Sequence, residues 1–333
     1  MDTRIKVNDG LGKFTCRHVE PERAVPTLAT DARNGLLVPP RSLPPKYFYD
    51  TYGSQLFDLI CDTPEYYLTR TEDALLEAKA VDIIAKSRPD HIFELGSGAS
   101  RKTRRLLDVC ERNYRLCSYW PFDVCESVLR VAGEQLVRDY QGLNVNALIG
   151  DYHAGLKYLP NPQGRKLFAF LGSTIGNFDP VHAREFLAEL SHHMGPEDTL
   201  LLGADRVKDE DVLLAAYNDS QGITAEFNLN VLRVLNRELK ANFDVQAYRH
   251  LARYDDEHQQ IEMYLVSSVP QTVELGELGE EITLMRHEPI QTEISRKFTQ
   301  SDLQDLLEQA GFSIIAQYEP QNQYFSLLLA NPK

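Results

Sequence analysis

The chain has 333 residues, of which 43% are hydrophobic, enough for one large domain or for two domains with a real core. Its formal net charge of −14 argues against a nucleic-acid partner, because phosphate backbones are bound mainly by lysine and arginine. The five cysteines are scattered and form no C-x-x-C pair, which indicates a reducing cytoplasm and no zinc site.

The N-terminal segment, residues 1–17, is predicted to be an extended arm without the apolar stretch of a secretory signal. No run of about 18 apolar residues follows, so we expect no membrane partner. Residues 18–69 then concentrate aromatic side chains. A tyrosine has an apolar ring and a polar tip, which suits the wall of a small-molecule pocket. The aromatic residues of this stretch are Tyr47, Phe48, Tyr49, Tyr52, Phe57, Tyr66 and Tyr67.

Strands and helices are predicted to alternate in two stretches, 70–206 and 298–333. Strands joined through helices run parallel, and the hairpin that ends the chain adds one antiparallel strand. The predicted fold class is therefore α/β with a mostly parallel sheet. The predicted helices cover 71–84, 100–113, 126–140, 180–193 and 301–310, and the predicted strands cover 92–95, 116–124, 145–149, 166–171, 199–204, 312–318 and 324–329.

Residues 207–297 interrupt that alternation. We interpret this insertion, together with residues 18–69, as a second lobe that caps the strand ends. Its helical patterns lie at 211–217 and 224–239, and its strand-like pieces lie at 247–254, 260–268 and 281–298.

The most informative stretch is the first strand with its turn, residues 91–107. The strand ends in Gly96-Ser97-Gly98 and leads into a helical pattern, and ligands of open α/β sheets bind at such strand ends. Arg101 stands where the dinucleotide fingerprint has its third glycine, which disfavours a pyrophosphate. Glu94, an acid in an apolar strand, suits a ligand with an ammonium and a sulfonium. The turn therefore favours S-adenosylmethionine (SAM) over a dinucleotide.

Acidic residues stand at two further strand ends. Asp123 follows the glycine turn at a distance that suits hydrogen bonds to ribose hydroxyls. Asp151 and Tyr152 close the next strand, where a carboxylate accepts from an adenine amino group and a ring packs on the base. A second glycine-rich turn, residues 172–178, follows the fourth strand. Together these strand ends favour a nucleoside ligand more than any one of them does alone.

These patterns resemble the histidine-specific Nα-methyltransferases of ergothioneine biosynthesis, over nearly all of the chain after about residue 18. That family consists of SAM-dependent class I methyltransferases with a Rossmann-like sheet and an added substrate lobe. The resemblance implies a SAM-binding domain over 70–206 and 298–333, and a substrate-binding lobe over 18–69 and 207–297. The motifs that carry it are 45–50, 64–67 with 69–72, 94–98, 172–177, Ala216-Tyr217 and 292–295; the first and last are specific to the family.

The resemblance also implies a set of donor-binding residues. Lys102 is expected to reach the methionine carboxylate, and Asp123 to hold the ribose. Asp151 and Tyr152 are expected to hold the adenine; the family commonly has phenylalanine at the latter position, a change that ring packing tolerates. The full donor set comprises Gly96, Lys102, Asp123, Asp151, Tyr152 and Gly172, with no metal.

A second set is implied for the substrate, L-histidine. Asn177 and Tyr217 resemble the residues that hold the α-carboxylate and the amine. The resemblance also places Tyr49 near the amine and implies that Tyr49 and Asn177 are the catalytic residues. Glu293 and Ser295 resemble part of the group that reads the imidazole, and residues two apart on a strand point to one face. The full substrate set comprises Tyr66, Asn177, Tyr217, Met263, Glu293 and Ser295.

Methyl transfer to an amine needs positioning and exclusion of water more than a strong base. The family pattern implies three methylations of the histidine α-amino group, giving hercynine. We also expect a cytoplasmic monomer. The alternatives are an Nα-methyltransferase for another amino acid or amine such as tryptophan, a catalytically silent SAM-binding regulator, and a dehydrogenase. Glu293, Ser295 and Met263 favour histidine, and Arg101 with Glu94 disfavours the dehydrogenase.

Overall fold

The computed structural model describes residues 12–113 and 118–333. Its strands are β1 (Phe14–His18), β2 (Arg41–Ser42), β3 (His91–Leu95), β4 (Ser118–Asp123), β5 (Val145–Ile149), β6 (Lys166–Phe170), β7 (Thr199–Asp205), β8 (Tyr248–Asp255), β9 (Gln260–Ser267), β10 (Gln271–Leu275), β11 (Glu280–Leu284), β12 (Pro289–Arg296), β13 (Phe312–Tyr318) and β14 (Phe325–Pro332). Its α-helices are α1 (Leu28–Leu36), α2 (Thr51–Asp62), α3 (Tyr67–Ser87), α4 (Arg104–Asn113), α5 (Glu126–Asp139), α6 (Tyr152–Gly155), α7 (Pro180–His193), α8 (Glu210–Ala216), α9 (Ile223–Glu238) and α10 (Gln300–Gln309). Within these described ranges, no helix has the length and apolar character needed to cross a membrane.

The chain divides into two compact units. Unit 1 comprises the described residues up to Val25, together with Leu68–Val207 and Phe298–Lys333. Unit 2 comprises Pro26–Tyr67 and Lys208–Lys297. The donor-binding and substrate-binding roles expected of the two domains stay predictions.

Unit 1 is built on an eight-stranded sheet with the strand order β1-β5-β4-β3-β6-β7-β14-β13. Neighbouring strands from β1 to β7 in this order are parallel. Strand β14 runs antiparallel to both of its neighbours, β7 and β13. The α/β class I methyltransferase fold expected from the sequence, with a mostly parallel sheet and one antiparallel strand, is therefore confirmed.

The prediction of an extended arm over 1–17 is wrong in part, because Phe14–His18 form the edge strand β1. It pairs in parallel with β5, with Phe14 opposite Val145. Phe14 packs so closely on α5 that a Cβ at Gly133 would lie 2.2 Å from its ring. The strand has one buried residue among its five, too weak an alternation to indicate a strand from the sequence. Residues 1–11 of the predicted arm lie outside the described residues.

The central strands of unit 1 are apolar because both faces of the sheet are covered. Ile92 of β3 belongs to one buried cluster, whereas Phe93 and Leu95 belong to another. This is the alternation of a strand between two layers of helices. Phe93 also stacks on Trp120 and Phe168, with ring centroids 5.2 and 5.1 Å apart. The packing fixes the end of β3, where the glycine turn begins.

The helix after that turn begins at Arg104, later than the predicted start near Ser100. Ser100 has a φ of +54°, a left-handed conformation that does not fit an α-helix. Its Oγ lies 2.8 Å from the hydroxyl of Tyr119 in the interior. Sequence periodicity does not reveal this buried contact, which keeps residues 100–103 in the turn.

Unit 2 contains a four-stranded sheet with the order β2-β12-β9-β8 and a separate hairpin, β10-β11. The predicted single segment 281–298 thus contains two strands that belong to different sheets. Strand β12 pairs antiparallel with β9, and the register shifts between Gln291 and Glu293. Such a bulge re-aims the side chains that follow it. Beyond the shift, Glu293 lies opposite Met263.

Candidate functional site

The glycine turn after β3 is held by the acid at the end of β4. Asp123 Oδ2 accepts a hydrogen bond from the Gly98 amide at 2.9 Å, and its Oδ1 accepts one from the Cys125 amide at 3.1 Å. Burial raises the pKa of Asp123 despite these amides. Gly96 and Gly98 have φ values of +70° and +49°, which other residues rarely adopt. The predicted ribose acid thus joins two neighbouring strand ends.

Glu94 has a partner inside unit 1. The residue is 3% exposed, and its carboxylate accepts a hydrogen bond from the Tyr119 hydroxyl. Burial raises the pKa of Glu94 to about 7, although the hydrogen bonds and the charge of Lys102 act to lower it. From the sequence, this acid is expected to suit a cationic ligand. Tyr119 links Glu94 to Ser100 of the turn, and a role of Glu94 beside a cationic ligand stays a prediction.

The predicted adenine pair follows β5. A Cβ at position 96 would lie 3.5 Å from Cε1 of Tyr152, so the Tyr152 ring faces the backbone of Gly96. The ring also packs edge-on against Phe122 and Phe170, with centroids 6.3 and 5.8 Å apart. Burial raises the pKa of Tyr152, which keeps the phenol neutral. With the partly buried Asp151 beside it, this apolar wall suits a flat base that carries an amino group.

A buried carboxylate joins the two glycine-rich turns of unit 1. Glu72 on α3 is 0% exposed, and each of its carboxylate oxygens lies 2.9 Å from the donating Gly172 amide. The same carboxylate forms an ion pair with Lys102. A Cβ at Gly172 would lie 3.4 Å from Lys102 Nζ, so glycine leaves room beside the ammonium. Glu72 has no predicted role, because no local signal in the sequence reveals a partner that far along the chain.

Asn177 is the last residue of the 3-10 helix Thr174–Asn177 in the second glycine-rich turn. Before it, Ser173 has a φ of +58°, and its Oγ accepts a hydrogen bond from the Asp205 amide at 2.9 Å. The side-chain amide of Asn177 is partly buried and has no hydrogen-bond partner among the residues that the structure describes. A fixed backbone with an uncommitted amide suits ligand binding.

The predicted substrate tyrosines Tyr49, Tyr66 and Tyr217 lie together in unit 2. The ring centroid of Tyr66 is 6.3 Å from that of Tyr217. Tyr66 and Tyr49 both pack on Phe57, at 6.1 and 5.6 Å. Burial raises the pKa of Tyr66 well above its ordinary value, and its neighbours, including Glu293, add to this effect. The cluster therefore offers neutral hydroxyls in a largely apolar surrounding.

Glu293 shares this environment in unit 2. Within the described parts of the chain its carboxylate has neither an ion pair nor a hydrogen-bond partner. Desolvation raises the pKa of Glu293 to about 7, although the charge of Lys297 acts to lower it. Ser295, which is 2% exposed, has its Oγ 2.7 Å from the Tyr217 hydroxyl, and Met263 on the paired strand is 1% exposed. Unit 2 thus contains all of these residues that are predicted to bind the imidazole. Their roles stay predictions.

Lys297, which is not among the predicted site residues, lies beside Tyr217 and Ser295. It is 1% exposed, and its Nζ donates to the Tyr217 hydroxyl and to Ser295 Oγ, each at 2.9 Å. The ammonium lies 4.6 Å from the centroid of the Tyr217 ring. The signal was available in the sequence, because positions 293, 295 and 297 follow the period of two that links Glu293 with Ser295. A buried lysine is rare unless it is paired.

One group of side chains that could ligate a metal occurs among the described residues. Glu22, Glu189 and His193 hold their ligand atoms within 4.8 Å of one another. Glu22 and His193 are exposed, and Glu189 lies 3.8 Å from Arg23. None of them belongs to the predicted site, and we assign this group no part in it.

The sequence has close relatives among known proteins. It matches the family of histidine-specific, SAM-dependent methyltransferases over residues 28–332. It is 44% identical to the histidine N-alpha-methyltransferase of Mycolicibacterium smegmatis over 294 residues, which cover 88% of this chain and 91% of that protein. The protein of the same name from Mycobacterium tuberculosis is also 44% identical, with 91% of this chain and 94% of that protein covered.

A fungal relative is more distant. The ergothioneine biosynthesis protein 1 of Neurospora crassa is 32% identical, over 88% of this chain and 34% of that protein. The family match includes residues of both units and all the predicted site residues. The chain therefore belongs to the histidine-specific, S-adenosylmethionine-dependent methyltransferases.

Proposed function

We propose that this chain transfers methyl groups from SAM to the α-amino nitrogen of L-histidine. Three transfers in succession would give hercynine, a step of ergothioneine biosynthesis. The observation that carries the proposal is Glu293, a partly buried carboxylate that has no hydrogen-bond or ion-pair partner among the described residues and lies near a hydroxyl pair in unit 2. A desolvated carboxylate costs free energy until a ligand satisfies it. The site therefore favours a substrate side chain that donates a hydrogen bond, as imidazole does.

Residues of unit 1 fit the methyl donor. Lys102 presents an ammonium for the methionine carboxylate, and Asp123 presents a carboxylate for the ribose hydroxyls. Tyr152 and Asp151 form a wall for the adenine. When bound, the donor supplies an activated methyl group on a sulfonium. The ion pair of Lys102 and the amide contacts of Asp123 hold both residues in place beforehand, so little reorganisation is needed on binding.

The acceptor has to be the neutral amine, because the nitrogen lone pair forms the new C–N bond as the C–S bond breaks. We assign Tyr49, Tyr217 and Asn177 to hold the amine and the α-carboxylate. These neutral groups do not favour the ammonium form as a carboxylate would, and they still accept hydrogen bonds. After each of the first two transfers the nitrogen releases a proton to solvent and regains its lone pair. The third transfer leaves a quaternary ammonium that has no proton to release.

The substrate is a small molecule, and we propose that the enzyme acts on it in the cytoplasm. Its five cysteines are odd in number and lack a C-x-x-C pair, which fits a reducing compartment. The monomeric state expected from the sequence stays a prediction.

Mass spectrometry of L-histidine incubated with the purified chain and SAM tests the proposed reaction. We expect a product heavier by three methyl groups, together with S-adenosylhomocysteine. Tryptophan, which lacks the imidazole, and histamine, which lacks the α-carboxylate, are the matched controls and should stay unmethylated. Methylation of tryptophan with histidine unchanged would contradict the proposal.

Replacing Asn177 tests its assigned role in positioning the amine. We expect Asn177→Ala to lower kcat/KM for histidine by about 100-fold or more, because a positioned amide acts mainly in the transition state. Binding of S-adenosylhomocysteine, measured by calorimetry, should change by less than about threefold. Asn161→Ala, at an exposed position of unit 1, should leave both quantities unchanged. If Asn177→Ala keeps kcat/KM within about tenfold of the parent value, Asn177 does not have this role.

Glu293 gives histidine binding a defined pH dependence. Since the pKa of its carboxyl lies at about 7, histidine affinity should rise between about pH 6 and pH 8 as the carboxylate forms. Glu293→Gln keeps the shape but cannot ionise, so its affinity should be about tenfold weaker at the upper pH and should lack this rise.

Calorimetry with S-adenosylhomocysteine present measures these affinities. Titration of free histidine itself occurs with parent and variant alike, so it cancels in the comparison. Glu281→Gln, an exposed glutamate of unit 2, is the control and should keep the parent pH profile. Identical pH profiles for Glu293→Gln and the parent enzyme would show that Glu293 does not accept from the imidazole.

A further inference from the structure

The side chains of Tyr217, Ser295 and Lys297 form a closed triangle inside unit 2. Lys297 Nζ lies 2.9 Å from the Tyr217 hydroxyl and 2.9 Å from Ser295 Oγ, and the two oxygens lie 2.7 Å apart. The three residues are 7%, 2% and 1% exposed in that order. Such short contacts in a desolvated place restrict how each hydroxyl can turn.

The chemistry of the ammonium sets the direction of these hydrogen bonds. An ammonium only donates, so the oxygens of Tyr217 and Ser295 both accept from Lys297. The two hydroxyls also share one hydrogen bond, which uses a single O–H proton. When Tyr217 donates in that bond, the O–H of Ser295 is left to donate to a ligand.

Glu293, on the same strand face as Ser295, offers a hydrogen-bond acceptor. An ionised carboxylate only accepts hydrogen bonds. One acceptor at Glu293 and one donor at Ser295 match a neutral imidazole, which has one N–H group and one bare nitrogen. An indole has no bare nitrogen, a phenyl ring has neither group, and an imidazolium has two N–H groups.

We propose that Lys297 determines substrate specificity by making the Tyr217–Ser295 pair a hydrogen-bond donor, and thereby selects a neutral imidazole over indole, phenyl and imidazolium. This inference rests on the proposed function and adds a residue to it. Without the ammonium, the Ser295 hydroxyl is free to turn and accept from a ligand, and the match to imidazole is lost. Lys297 acts mainly through the two hydroxyls, and its charge also favours the ionised form of Glu293, so it is a positioning residue.

Lys297→Met tests the inference, because it removes the ammonium and keeps an unbranched side chain of similar size. Calorimetry with S-adenosylhomocysteine present should show histidine binding weakened by about tenfold or more. Tryptophan binding should fall by less than about threefold or improve, so the ratio of the two affinities shrinks. Lys240→Met, at an exposed position of unit 2, is the control and should keep the parent ratio.

A double-mutant cycle separates this role from a merely structural one. In a Ser295→Ala background, Lys297→Met should weaken histidine binding by less than about threefold, because its effect passes through the Ser295 hydroxyl. Equal losses in the two backgrounds would overturn the inference. So would an unchanged ratio of histidine to tryptophan affinity in Lys297→Met.

A second experiment uses the parent protein, so it does not depend on the folding of a variant. The pyrrole analogue of histidine, with C–H in place of the bare ring nitrogen, keeps the N–H group for Glu293 and offers nothing to Ser295. It should bind at least about tenfold more weakly than histidine, and equal binding would refute the inference. If the parent protein does not methylate histidine, the proposed function fails and the inference falls with it. If the parent protein does methylate histidine, but the Lys297→Met variant or the pyrrole analogue gives the opposite of the expected result, only the inference about Lys297 fails.

Discussion

The ion pair and amide contacts of Glu72 tie the two glycine-rich turns of unit 1 together. A carboxylate in the interior is costly in free energy unless it is paired, and breaking such a pair typically costs about 3–5 kcal/mol. Glu72 is paired with the Lys102 ammonium and the Gly172 amide. Gly203 of β7 also takes part, because a Cβ there would lie 2.0 Å from a Glu72 oxygen. The donor-binding residues that we propose at these turns are thus held by the fold itself.

Two charged residues of unit 2, Lys297 and Glu293, differ in whether the chain itself provides a hydrogen-bond partner. The buried ammonium of Lys297 is satisfied by the hydroxyls of Tyr217 and Ser295. The carboxylate of Glu293 has no hydrogen-bond or ion-pair partner in the described chain, although the charge of Lys297 acts on it. In unit 1, Glu94 is buried and hydrogen-bonded. A desolvated polar group is costly until it is paired, so the acid left unpaired is the one that we assign to the substrate.

Elements with clear end signals could be predicted closely, as β5 and α7 show by matching the predicted ranges 145–149 and 180–193. Helix α7 begins where Asp179 caps it and Pro180 occupies the first turn. The edge strand β1 was missed because only one of its residues is buried. The later start of α4 depends on a buried contact of Ser100, which local periodicity does not encode. The pairing of Glu72 with Gly172 likewise depends on how distant segments pack. Lys297 could have been found, since it continues the period of two along one strand face.

Glu72 holds together the turns of unit 1 at which we propose that SAM binds, and the affinity of Glu72→Gln for SAM tests this claim most directly. Calorimetry should show binding at least about tenfold weaker than that of the parent protein, because Lys102 loses its charged partner. Glu77→Gln, at an exposed position of the same helix, should bind SAM like the parent. A folded Glu72→Gln variant with parent-like or tighter SAM binding would contradict the account.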